Sequence, residues 1–215
     1  SAASDVYKRQ ALNIATHILG FILSLIFFIP VVVGAYHGKD LLGFLAWLIY
    51  FIAIAIMFLA SSLYHSMTNP TARTIFRAID HGVIYLTIAG SYTPIILIGL
   101  RSSLSIVIFV IVWILALGGI AMNIIAFATA KEDKIKKPSM IIYMAMGWIS
   151  LILIYQIYKY IGMSYIMFLV IGGLFYTLGA IFYSIKKIPY NHAIWHIFIL
   201  VAAFVMFYGN YKFLG

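Results

Sequence analysis

Seven apolar runs, each close to the roughly 20 residues that a helix needs to cross a bilayer, leave this chain few folds to choose from. They lie at about 11–36, 41–64, 79–100, 104–128, 140–158, 163–185 and 192–214. In hydrocarbon, every backbone N–H and C=O must find its partner within the protein, so isolated runs of this kind become helices. The expected fold is an all-α, seven-transmembrane helix bundle. Composition agrees, because 65% hydrophobic and 9% charged residues in a chain of 215 leave more apolar surface than a water-soluble domain of this size can hide. Lys8 and Arg9 precede the first run, but 11–36 is too long for the core of a signal peptide. Residues 1–10 are set apart as an N-terminal cytoplasmic segment. Residues 11–215 form one domain, since the connections are short and none is of low complexity. Pro30 and Pro94 fall inside runs and are expected to kink them, Pro94 with a cavity opening beside it.

Counting Lys and Arg by alternate connections gives an orientation. Ten fall on one side (Lys8, Arg9, Arg73, Arg77, Lys131, Lys134, Lys136, Lys137, Lys186, Lys187) and four on the other (Lys39, Arg101, Lys159, Lys212). The positive-inside rule then makes the N-terminus cytoplasmic and the C-terminus external. The net charge of +9 is distributed as topology signals rather than as a nucleic-acid-binding face, so no nucleic-acid partner is expected. With no cysteine there is no disulfide and no thiolate ligand, and any metal has to be held by His, Asp, Glu or backbone oxygen.

Polar residues inside the runs carry the chemistry. His192 and His196 are four apart at the start of the seventh run, on one helix face. Such a pair either ligates a metal or sits in the headgroup layer. His65 ends the second run, and Asp80 opens the third as the one acidic residue in any spanning run; Asp5, Asp40, Glu132 and Asp133 are assigned to termini and loops. A carboxylate at that depth costs several kcal/mol unless it has a partner, so Asp80 is a functional-site candidate. Three imidazoles and a carboxylate near the cytoplasmic helix ends make the inventory of a zinc centre. Ser61, one turn before His65, either reaches that site or bonds back to its own helix. His81 points about 100° away from Asp80 and reads as structural. His17 and His37 read as lying at the wrong depth or side. Asn123 and Gln156 are expected to bond between helices, Gly118-Gly119 and Gly172-Gly173 to permit close packing, and the many Tyr, Phe and Trp to form interfacial and lipid-facing belts.

Ser61-Ser62-Leu63-Tyr64-His65 matches Ser-x-x-x-His, Asp80 follows the next connection, and His192 to His196 forms His-x-x-x-His. Together with Gly90-Ser91-Tyr92-Thr93-Pro94, Val201-Ala202-Ala203-Phe204 and Tyr208-Gly209, these resemble the hemolysin III proteins of bacteria and, more distantly, the adiponectin and progestin receptors. The resemblance implies a zinc near the cytoplasmic face bound by His65, His192 and His196. It also implies that Asp80 either ligates the metal or holds its water, and that Ser61 supports the site. With only about ten residues ahead of the first run, no long soluble N-terminal domain of the receptor kind is expected, and a hormone-receptor role is not the expected one.

Three functions follow as expectations. The leading one is zinc-dependent hydrolysis of a lipid-like amide or ester dissolved in the membrane, with Asp80 and Ser61 as the catalytic side chains. The second is a lytic or regulatory membrane protein in which zinc only clamps helices together. The third is a proton or ion pathway through Asp80 and the histidines, weakened because no second buried acid continues the relay.

Overall fold

A computed structural model describes residues 2–215, which are 91% helical and contain no strand among the described residues. Seven helices are long and apolar enough to cross a membrane. They are α1 (Ala2–His37), α2 (Leu41–Ser66), α3 (Pro70–Leu100), α4 (Ser103–Ala128), α5 (Glu132–Tyr160), α6 (Met163–Ser184) and α7 (Asn191–Leu214).

Three of these helices begin earlier than apolarity alone indicated. Helix α1 takes in the segment that the sequence set apart, with Asp5 in its first turn. Helix α3 starts at Pro70, behind an Asn69 cap whose side chain accepts from the Ala72 N–H at 3.0 Å, so Asp80 lies roughly three turns into the helix rather than opening it. Helix α5 starts with Glu132 and Asp133 in its first turn instead of leaving them in a loop. Carboxylates there complement the positive end of the helix dipole, and Glu132 also pairs with Arg77 of α3 at 2.7 Å.

Two helices change pitch halfway. The backbone N–H that Pro94 lacks is followed by a π-helical stretch, Ile95–Leu100, which Arg101 closes in the left-handed conformation. Helix α5 tightens into a 3-10 segment, Ile149–Leu153. The Tyr92 hydroxyl joins the two breaks by donating to the carbonyls of Met146 (2.6 Å) and Gly147 (3.0 Å) and accepting from the Ser150 N–H.

Sequential helices pack side by side, and α7 returns against α1, closing a ring in which α3 touches α2, α4 and α5. One apolar cluster (Phe28, Trp47, Tyr50, Phe58, Phe207) sits among α1, α2 and α7, and a second (Tyr85, Val112, Met146, Tyr165) among α3 to α6. Many aromatics are therefore core residues rather than belt residues, as Trp47, Tyr50, Tyr85 and Tyr165 show, whereas Tyr155, Tyr158 and Tyr160 do face outward. Gly119 admits the ring of Tyr85 where a Cβ would collide with it, Gly172 does the same for Met206, and Gly118 faces open space. As expected, Asn123 donates to the Ala78 carbonyl (2.7 Å) and Gln156 accepts from Ser102, both between helices.

Candidate metal centre

The last turn of α2 and the first turns of α7 meet at one end of the bundle. The ligand atoms of His65, His192 and His196 lie within 4.8 Å of one another. Ring centroids are 4.9 Å (His65 to His192), 5.1 Å (His65 to His196) and 4.6 Å (His192 to His196) apart. His65 and His196 are buried and His192 is half-buried. The i, i+4 spacing in α7 sets two of the rings one turn apart, and the close packing of the bundle brings the third to them.

Three imidazoles crowded at the mouth of the bundle bring several nitrogen lone pairs together, and a cation satisfies them. The Gln10 side-chain oxygen faces His65 Nδ1 at 2.9 Å, so that nitrogen carries the proton and donates, leaving a lone pair on Nε2. Nε2 is buried and has no protein partner. A histidine pinned on one nitrogen by an amide and free on the other is oriented as metal-bound histidines are. Neutral imidazoles without thiolates suit zinc, and also other divalent ions that accept nitrogen. The residues present thus fit a metal ion.

Ser61 lies one turn before His65 and is almost fully buried. Its neighbours Ser62 and Ser66 bond back to carbonyls of their own helix, but Ser61 Oγ does not and has no partner. Asp80 faces this hydroxyl from α3. Its carboxylate is not among the ligand atoms that lie within 4.8 Å of one another. His81 is engaged elsewhere, with Nδ1 against the Arg77 carbonyl at 2.7 Å and its ring against Phe127.

A further sequence expectation is overturned at this site. His17 does not lie at the wrong depth: its ring rests on that of His196 with centroids 3.7 Å apart, it is 3% exposed, and neither ring nitrogen has a partner. The same face of α1 brings Thr16 Oγ1 to 3.5 Å from His196 Nδ1, Gln10 to His65, and the buried, unpartnered Asn13 Oδ1. Helix α1 is therefore the backing of the histidine cluster. A signal was present, since Gln10, Asn13 and His17 stand at i, i+3 and i+7 and so form a polar stripe that continues into the apolar run.

The bundle holds two cavities, of which one reaches the cluster. An apolar one of ≈130 Å³ runs along the middle of the bundle between Met57, Ser91, Tyr92, Trp148, Tyr176 and Trp195. A polar one of ≈240 Å³ opens at the helix ends and includes His65 and His192 in its wall. Within α7, His192 faces the polar cavity and Trp195, three residues on, faces the apolar one.

These features define a multi-pass helical membrane protein with a histidine cluster able to hold a metal ion at one end of the bundle. Over residues 6–207 the chain matches the haemolysin-III related family, and it belongs to that family. It is 35% identical to "Hemolysin-3" of Bacillus cereus (94% of this chain, 90% of the relative) and 34% identical to "Hemolysin-3 homolog" of Bacillus subtilis (94% and 92%). The human "Monocyte to macrophage differentiation factor" is 31% identical over 76% of this chain and 68% of its own length.

Proposed function

We propose that the chain is a zinc-dependent hydrolase that cleaves an amide or ester bond of a lipid-like substrate. Zinc would be held by His65, His192 and His196 near the cytoplasmic face, in the orientation given by the ten-to-four charge bias. The observation that carries this reading is the convergence of three imidazoles, one with a buried, unpartnered Nε2, in a bundle whose α7 also sends Trp195 into an apolar cavity suited to a chain. When bound, zinc supplies Lewis-acid polarisation and acidifies water to near neutrality.

The chain's own residues do the rest. Asp80 takes a proton from water as its oxygen adds to the carbonyl carbon, and returns it to the amine or alkoxide when the C–N or C–O bond breaks. Ser61, whose hydroxyl bonds to nothing in its own helix, is free to hold the Asp80 carboxylate toward the site. Gln10 and Thr16 hold the rings of His65 and His196. Trp195 and Tyr92 line the cavity that receives the apolar part of the substrate.

The names of the bacterial relatives favour a second reading, a membrane-lytic protein in which zinc only ties α2 to α7. Purified protein assayed on labelled lipid amides and esters, in parallel with dye release from liposomes, separates the two. Turnover lost on chelation and restored by zinc supports the hydrolase. Leakage without turnover supports lysis.

A further inference from the structure

We propose that the polar cavity at the histidine end is a binding site for a phosphate group, gripped by Arg9 and Arg73. The cavity wall contains both arginines and no acidic side chain; its other polar members are amides, tyrosines and the two histidines. None of the ion pairs among the described residues involves Arg9 or Arg73. Two guanidinium groups around one cavity with no carboxylate between them repel each other, and an oxyanion relieves that repulsion.

Both arginines are already positioned. Arg9 lies over the ring of Tyr190 at 5.2 Å, and Arg73 over the ring of Tyr64 at 5.1 Å. A guanidinium held over a ring by cation–π attraction keeps N–H groups for a bidentate acceptor. Arg73 spends one of them on the Met67 carbonyl at 3.2 Å, which fixes its direction. Tyr190 stands in the left-handed conformation (φ 57°) immediately before α7, a costly geometry for a residue with a Cβ and one that concentrates at ligand sites. At ≈240 Å³ the space exceeds what a carboxylate alone fills and suits a phosphate with its substituent.

Coupled to the hydrolase reading, and resting on it, this makes the substrate a phosphate-bearing amphiphile with its head between the arginines and its chain in the apolar cavity. The site itself needs no metal, so it is tested without one. Chelator-treated full-length protein in a neutral detergent is titrated with inorganic phosphate, with a phosphatidate, and with the diacylglycerol of the same chains. The phosphatidate should bind at least about tenfold more tightly than the diacylglycerol, the ratio that one charge-assisted contact supplies. The double variant R9Q/R73Q should lose about that factor, R73K should recover part of it, and K186Q/K187Q, on the same end but outside the cavity, should bind as the parent does. Displacement of the phosphatidate by inorganic phosphate identifies a free phosphate as a sufficient ligand; binding of the phosphatidate alone identifies the lipid headgroup. R9Q alone, at an exposed position, keeps the test meaningful if the double variant melts early, and it too should weaken binding. Unchanged binding in R9Q and R9Q/R73Q, equal loss in K186Q/K187Q, or no binding of either phosphate probe overturns the proposal. Because the titration is metal-free, its failure leaves the metal reading standing, and loss of the metal reading leaves this one standing.

Discussion

His192 and His196 show how much one residue can reveal in isolation. Their spacing alone puts two imidazoles on one turn, and the structure adds His65 to them. His17 and Gln10 could not be placed the same way, because their contacts depend on α7 closing against α1, and no local spacing states which helices adjoin. Two predictions belong here. His196→Ala should lower metal content and thermal stability together, by up to about 4 kcal/mol when free metal is roughly 1,000 times Kd; metal titration with parallel melting curves checks it. Gln10→Ala should leave the fold intact and weaken metal affinity by about 10- to 100-fold, since it removes the acceptor that fixes the His65 tautomer. Equal affinity in Gln10→Ala and parent would show that the amide orients nothing.

At the level of elements, the sequence marked where helices cross the membrane but not where they begin. Hydropathy responds to the lipid-facing stretch, and the polar opening of α3 from Pro70 to Ala78 carries none of that signal although Asn69-Pro70 is a good cap. The cost of that omission was depth: Asp80 belongs inside α3, facing Ser61 one turn below His65. The glycine pairs divide in a similar way. Gly119→Ala would drive a methyl group into the Tyr85 ring and should destabilise by about 1–3 kcal/mol. Gly118→Ala has open space around it and should be neutral or stabilising by up to about 1 kcal/mol. Reversible unfolding of the two variants in the same detergent checks the pair, and similar losses in both would remove the close approach of α3 and α4 as the reason for the glycine.

For the whole molecule, seven spans require the two ends to lie on opposite faces of the membrane, and the ten-to-four charge bias predicts a cytoplasmic N-terminus. Reporter fusions at residue 5 and residue 215 should give opposite responses, cytoplasmic for the first; the reverse pattern would move the histidine end to the outer face. Fold class was legible throughout because the bilayer admits so few backbones. Closure of the ring was not, and with it went the role of α1 as the backing of the site. The central claim is that His65, His192 and His196 hold one metal ion and that Asp80 acts on the substrate beside it. Its most direct test is metal quantification and lipid-amide turnover on the same preparations of parent, His196→Ala and Asp80→Asn. The prediction is about one zinc per chain in the parent, little in His196→Ala, and near-parental zinc in Asp80→Asn with turnover down by about 10²- to 10⁴-fold. Full metal in His196→Ala, or a metal-loaded parent that turns over no amide or ester, would contradict it.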